Sequence, residues 1–444
     1  MAIQVSNSEV AAKPTPQEQR QAYLNGLLAT VQAAVSATLP LTDLREPAAA
    51  IAQEHGFPDS RQENWRFTNL NAMLSIPFRA STNLADVDAE ALAGVIAPEA
   101  LIQLVFVNGQ FSAELSNLDA LPQGLVAGSL VTLQGDLQEK LGARLGKSAG
   151  HGVFTALNTA GFQDASVVWV SRNCAVEAPV QIVNWSVSPD GATMSQPRCL
   201  VVAEAGSALT LVEDFTGAAE SHFTNSVTEI WVDDNAEVNH VRLQREGSDT
   251  FHIGKTAVTQ GRDSRYTCMP ITLGAQLSRH NLEITQTGPQ TETTLQGLSA
   301  IAGHQLADTH SVVALNHPHG IVNQQHKCIV DDHAHTVFNG KMWVPRAAQQ
   351  TDASQLNRNL LLSNKGRVDT KPELDIVADN VKCAHGATVS QLDANEVFYL
   401  QSRGISAEQA QQLLIYGFAM EIIDAIPIVS IRETLTQVIN AWTR

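Results

Sequence analysis

The residues of this 444-residue sequence best suited to chemistry are its histidines and cysteines. Seven of the fourteen histidines, His304, His310, His317, His319, His326, His333 and His335, lie between positions 304 and 335. On a β-strand, residues i and i+2 point to the same side, so His333 with His335, and His317 with His319 across Pro318, offer two imidazoles to a metal. A cupin-like site also wants a Glu four or five residues after the second histidine, and here Thr336-Val337-Phe338-Asn339-Gly340-Lys341 follows His335. Histidines at the surface or corners of a repetitive β-structure ask less of the sequence. A second pair is Cys383 and His385, again two apart, a thiolate and an imidazole suited to iron or zinc. Two ligands do not close a site, so others must come from elsewhere or from another chain. A buried Cys beside a satisfied His is the simpler account. Cys174, Cys199, Cys268 and Cys328 lack comparable company and read as small core residues.

Other chemistries lack support. There is no Walker A sequence, no Gly-x-Gly-x-x-Gly and no Gly-x-Ser-x-Gly. Asp331-Asp332 is a poor match to a β-helical glycosidase pair and reads as a solvated turn. Lys plus Arg number 28 against 45 Asp plus Glu, a net charge of −17, which argues against a phosphate-neutralising nucleic-acid surface. No apolar run is long enough to span a bilayer. Five scattered cysteines without a CxxC suggest a reducing compartment, and the N-terminus reads as neither signal nor transit peptide, so a cytoplasmic location is expected.

The elements that must position these residues fall into three textures. Thr15-Pro16-Gln17-Glu18 is a capping-box pattern, and Tyr23, Leu24, Leu27, Leu28, Val31 and Val35 recur at helical spacing, predicting a helix over 16–38 ended by Pro40. A second helix is predicted over 46–55, then a loop through Glu63-Asn64-Trp65-Arg66-Phe67-Thr68 whose aromatics suit anchoring to a neighbour. From about 100 to 390 the chain turns to short β-rich runs between Gly, Asn and Asp. Ala205-Gly206-Ser207-Ala208 aligns with Asp234-Asn235-Ala236-Glu237 at an offset of 29 residues, and weaker copies start at Asp332-His333 and His385-Gly386. Gly, Asn and His at the second position tolerate φ > 0, as a solenoid corner requires. Such a repeat fits a stacked solenoid or an antiparallel sandwich. The end is helical again: Ser406 with Gln409 starts a helix carrying Leu413, Leu414, Phe418, Ile422 and Ile423, Pro427 closes it, and a last helix covers 429–442. These helices either pack back on the β body or offer an apolar face to a partner.

From Gly303 onward the sequence resembles the SufB/SufD family of iron–sulfur cluster assembly proteins. The resemblance is carried by Asn339-Gly340-Lys341, by Ala347-Ala348-Gln349-Gln350-Thr351-Asp352, by Leu360-Leu361-Leu362-Ser363 and by Asp369-Thr370-Lys371-Pro372-Glu373-Leu374-Asp375-Ile376. It continues through Asp379-Asn380-Val381-Lys382-Cys383-Ala384-His385-Gly386-Ala387-Thr388 and Phe398-Tyr399-Leu400-Gln401-Ser402-Arg403-Gly404-Ile405, with Glu63 to Thr68 and Phe106-Val107-Asn108-Gly109 upstream. His-Gly-Ala-Thr after the cysteine, where SufB-type sequences have His-Glu-Ala-Thr, places the resemblance on the SufD branch.

The resemblance implies a mainly β fold, a right-handed parallel β-helix (β-solenoid) core at 96–392, flanked by an N-terminal helical region at 1–95 and a C-terminal helical domain at 393–444. It implies a non-catalytic scaffold subunit of an ATPase-driven complex, pairing with SufB and docking the SufC ATPase through the C-terminal helices, for which Leu413, Leu414, Phe418 and Ile422 are the candidates. His385, with Cys383, would then hold iron or a transient iron–sulfur cluster shared with SufB, with nothing tightly bound by the isolated chain. A homodimer in isolation stays open. The alternative is a stand-alone His-rich metal-binding β-helix protein or metalloenzyme built on His317, His319, His333 and His335.

Overall fold

The computed structural model describes residues 15–35, 41–81, 87–133, 140–150, 152–189 and 191–441. Most strands between Ile102 and Ser390 are parallel and alternate between two sheets, one of eleven strands and one of ten. From Arg198 onward each strand pairs with the next-but-one in sequence, so two strands and their corners make one coil and the coils stack. This is the β-solenoid, with helices at both ends of the chain.

Parallel register places like residues above one another. Val168, Val201, Ile230, Val258, Ile284, Val313, Met342 and Leu374 form one such column. Its inner members are buried in the main apolar core. Burying each such side chain contributes about 1.5–3 kcal/mol, and the column extends that gain coil by coil. Corners are made by residues with positive φ, among them Gly206 at 73° and Asn235 at 55°, the two predicted from the repeat. The weaker copies differ. In the third the left-handed residue is Asp332 (φ 50°), one position before His333, and the fourth lies inside the strand Lys382–Ser390. A turn signal of one small residue is too short to fix which position carries the bend.

The first helix runs Pro16–Ala34 and carries the predicted capping box between Thr15 and Glu18; Pro40 lies outside the described residues. Its buried face is Leu24, Leu27, Leu28 and Val31, and the second helix, Thr42–His55, starts a turn earlier than predicted. Both pack with Phe57, Phe154, Phe223 and Phe251 against the solenoid flank. A short helix the sequence analysis did not foresee, Val153–Gly161, is buried on every side. Its polar residues Thr155, Asn158 and Thr159 recur at helical spacing, but they too are buried, Asn158 bonding Arg198 and the Asn225 carbonyl, so nine residues carry no polar face that meets solvent. The loop at 63–68 anchors as expected: Arg279 lies 3.9 Å over Trp65 and donates to the Asn64 carbonyl at 2.8 Å, while Thr68 donates to Asp308.

At the other end, helices Ala394–Ser402, Ala407–Ile423 and Val429–Ala441 follow the last strand; residue 442, the predicted end, lies outside the described residues. Ser406 and Gln409 form the predicted capping box. Ile415, Ala419, Ile422, Ile423, Ile431, Leu435 and Ile439 bury against Val241, Met269, Leu298 and Ile329 on the outer face of the ten-stranded sheet.

Candidate functional site

Cys383 and His385 lie on Lys382–Ser390, the last strand of the ten-stranded sheet, paired on one side with Asp352–Leu361. Register sets their direction. Cys383 stands against Ala353 and His385 against Gln355, both of which are buried in the interior. The two therefore share the inward face, as alternate residues of a strand must. The His385 column runs back through Gln355, Gln324, Leu295, Cys268 and His240, and the Cys383 column through Ala353, Val322 and Thr293. Burial fails in this one coil: among the described residues no further coil covers it, so Cys383 is half-buried and His385 exposed. Cys383 still packs against the main core. Burial pushes its thiol pKa up, and the Asp352 charge pushes the same way. The thiol is held protonated at neutral pH, so a metal ion bound here must displace a proton.

The support beneath is specific. Gln355 donates to Gln324 Oε1 at 2.8 Å, and a Cβ at Gly340 would stand 2.1 Å from Gln355 Nε2. Only glycine leaves room for that amide. The neighbouring strand Arg367–Ile376 closes the other sheet and contains Pro372, which cannot donate to a ladder and is tolerated most readily on an edge strand.

The histidine group does not form the strand pairs expected. His317 and His319 sit in the turn before strand Ile321–Val330, and His333 in the turn before strand His335–Val344, so neither pair shares a strand face. The spacing of two was real, but a corner falls inside it. His333 instead stacks on His304 of the preceding corner at 5.0 Å, and His335 Nε2 lies 2.7 Å from Asp369. His310 pairs with Asp308 at 3.0 Å. His326 is buried flat against Phe338, with Ser299 at 3.2 Å. Among the described residues no group of three or more His, Cys, Asp or Glu is arranged to hold a metal.

Of the predicted partner-binding residues, Leu413 is 49% exposed and Leu414 half-buried, whereas Ile422 is fully buried in the core and Phe418 is covered by Lys327 at 4.4 Å and Arg358 at 5.6 Å. Ile422 thus belongs to folding, not to an accessible face, because the helix turns it toward the solenoid. Phe398 and Tyr399, 70% and 58% exposed, lie on a helix that buries no residue. They were not among the predicted contacts, although large aromatics on a short helix were a signal for an unpartnered face. Lys327 Nζ donates to the Phe418 carbonyl at 2.8 Å and pairs with Glu421 at 2.5 Å, and Glu421 also meets Arg358 at 3.4 Å.

Sequence reasoning missed a buried polar network inside the solenoid. Cys199 and Cys328 are buried as expected, and Cys174 is half-buried. Cys268, however, has company: its Sγ lies 3.9 Å from His240 Nδ1, and His240 Nε2 lies 3.0 Å from Glu213. Partners some 28 positions apart meet only through the coil register. His240, Arg242 and Gln244 alternate along one strand, a period-two polar row that was the available signal.

The comparisons with known proteins agree with this architecture. Residues 186–418 match the SufBD core domain of the SUF system for iron–sulfur cluster assembly, and residues 19–182 match the SufBD N-terminal region. The chain belongs to the SufBD family. It is 45% identical over 425 residues to the iron–sulfur cluster assembly SufBD family protein slr0076 of Synechocystis, covering 93% of this chain and 94% of that protein. It is 34% identical to the chloroplastic protein ABCI7 of Arabidopsis thaliana, over 91% of this chain and 86% of that one. It is 30% identical to the iron–sulfur cluster assembly protein SufD of Escherichia coli, over 84% and 88%. SufBD membership gives the chain a role in iron–sulfur cluster assembly. Among the described residues no helix is long and apolar enough to cross a membrane.

Proposed function

We propose that this chain is a scaffold subunit of a SufBCD-type complex, pairing its open solenoid end with SufB, docking SufC on its C-terminal helices, and contributing Cys383 and His385 to a nascent cluster at the shared end. The observation that carries the reading is the last coil. Two parallel sheets stop together with their outer strand edges unpaired among the described residues, and Val377 and Val389 are 45% and 50% exposed there. Unpaired edges and apolar ends are templates for another β-structure, and a second solenoid would cover both. Cys383 and His385 sit on the inward face of that coil, so a partner stacking there would enclose them and supply the missing ligands. Iron and sulfide are cargo in this reading; the chain itself holds the metal through a thiol that must lose its proton and an imidazole.

The C-terminal helices supply the link to an ATPase. Phe398, Tyr399, Leu413 and Val429 are the exposed large apolar side chains among the described residues of these helices, and Glu421 ties the helix Ala407–Ile423 to Lys327 and Arg358 on two adjacent strands. The second of these strands is hydrogen-bonded to the one carrying Cys383 and His385. Movement of the helix by a nucleotide-driven partner would reach the site through this contact. Native mass spectrometry after anaerobic co-expression with SufB and SufC tests the reading. A complex of one SufB, one copy of this chain and two SufC is expected. A lone monomer or homodimer carrying stoichiometric metal would overturn it.

A further inference from the structure

The terminal strand of the eleven-stranded sheet, Arg367–Ile376, has among the described residues a hydrogen-bonded neighbour on one side alone, His335–Val344, and its inward residues Val368, Thr370, Pro372 and Leu374 are only half-buried. A strand so placed, with a proline in its middle, is prone to fray. Its outward face, however, is held from elsewhere in the chain. The motif Glu63-Asn64-Trp65-Arg66-Phe67-Thr68 reaches it: the Glu63 carboxylate pairs with the Lys371 ammonium, and the Arg367 guanidinium lies 5.7 Å from the Phe67 ring. Between these contacts Asp369 accepts from Arg367 Nε at 2.7 Å and lies 2.7 Å from His335 Nε2. The space left between loop and strand is about 20 Å³, room for one water and for no ligand.

The same loop is fixed to inner coils. Trp65 lies under Arg279 at 3.9 Å and against Phe154 at 5.4 Å, the Asn64 carbonyl accepts from Arg279 at 2.8 Å, and Thr68 donates to the buried Asp308. The strand carrying Arg279 is the fourth from the open end, so the contacts of one short loop span three inter-strand spacings, about 14 Å. Side chains thus hold the outermost strand where backbone pairing is missing. The edge of the other sheet has no such cover: Ala384 and Thr388, on the outward face of Lys382–Ser390, are exposed. One edge of the open end is braced and the other bare. A braced edge meets another strand without first losing conformational freedom, which favours association.

We propose that the loop Glu63–Thr68 is a strap that keeps Arg367–Ile376 in place as a preformed edge for a β-solenoid partner. That it serves a partner rests on the scaffold reading; that it holds the strand does not. Hydrogen exchange of the full chain tests the strap and capture of SufB tests its use, with Glu63→Gln and Phe67→Ala combined in one variant that spares Asn64, Trp65 and Thr68. Exchange across 367–376 is expected to speed up roughly five- to tenfold while 335–344 and 382–390 keep their rates, and SufB capture to weaken about threefold as the strand spends more of its time open. Unchanged exchange across 367–376, or a rise shared by 335–344, would overturn the strap. Faster exchange there with undiminished SufB capture would overturn its role in pairing. If the unsubstituted chain itself fails to capture SufB, the scaffold reading falls and the exchange rates still decide the strap.

Discussion

At Cys383 two effects act in the same direction: partial burial and the Asp352 carboxylate both raise the thiol pKa. Removing one of them should be visible. In Asp352→Asn the burial contribution persists and the charge repulsion disappears, so the pKa falls and more thiolate is present at pH 8. Alkylation of Cys383 by iodoacetamide, followed in a Cys174→Ser background, is expected to speed up; an unchanged rate would show that Asp352 does not act on the thiol. The proposed ligand role makes a separate demand. His385→Ala should lower the iron content of the co-purified complex and leave its stoichiometry intact, because an exposed side chain contributes little to folding. Equal iron in the variant would remove His385 from the ligand set. Beneath it, Gly340→Ala would force Gln355 from its place and is expected to cost about 1–3 kcal/mol in urea unfolding.

At the scale of elements, the C-terminal helices have two surfaces that one substitution each can tell apart. Leu413→Asp lies on the exposed side and should change stability by no more than about 0.5 kcal/mol while weakening capture of SufC. Ile422→Asp places a charge in the core and should unfold the C-terminal region. Thermal melts with a pull-down separate the two, and intact SufC binding by Leu413→Asp would move the docking surface elsewhere. The link to the solenoid rests on Lys327, whose stem is enclosed while its ammonium holds Glu421 and the Phe418 carbonyl. Lys327→Met retains the apolar stem and deletes both contacts. Hydrogen exchange in 407–423 should then rise, with the strands unaffected; identical protection would mean that packing alone holds the helix.

Across the whole molecule, the buried imidazoles couple stability to pH. Burial holds His326 down at about 4, against an ordinary value of 6.5. His222 is also held at about 4, by burial first and then by the His252 charge, with Glu246 opposing. Each is neutral in the fold and takes up a proton on unfolding. Their contribution is therefore fully present above pH 6.5 and is lost as pH falls toward 4, up to about 3 kcal/mol for each imidazole. Urea unfolding at pH 7.5 and 4.5 checks this: His326→Gln should lose less stability between the two than the unsubstituted chain, and equal losses would exclude the imidazole as the cause.

What the sequence determined by itself follows from local rules. The capping boxes at Thr15 and Ser406, the apolar stripes, the glycine and asparagine corners at 206 and 235 and the family motifs are encoded within a few residues, and the helical ends, the β texture and the Cys383–His385 pair were legible from them. What only the tertiary structure decided depends on register between coils. That register put Cys268 beside His240, stacked His333 on His304, buried Ile422 and exposed Phe398, and left Cys383 and His385 on the open last coil. A period-two strand specifies which side a residue faces. Whether that side meets another coil, a helix or solvent is fixed by where the stack ends, and no local pattern of residues contains that information.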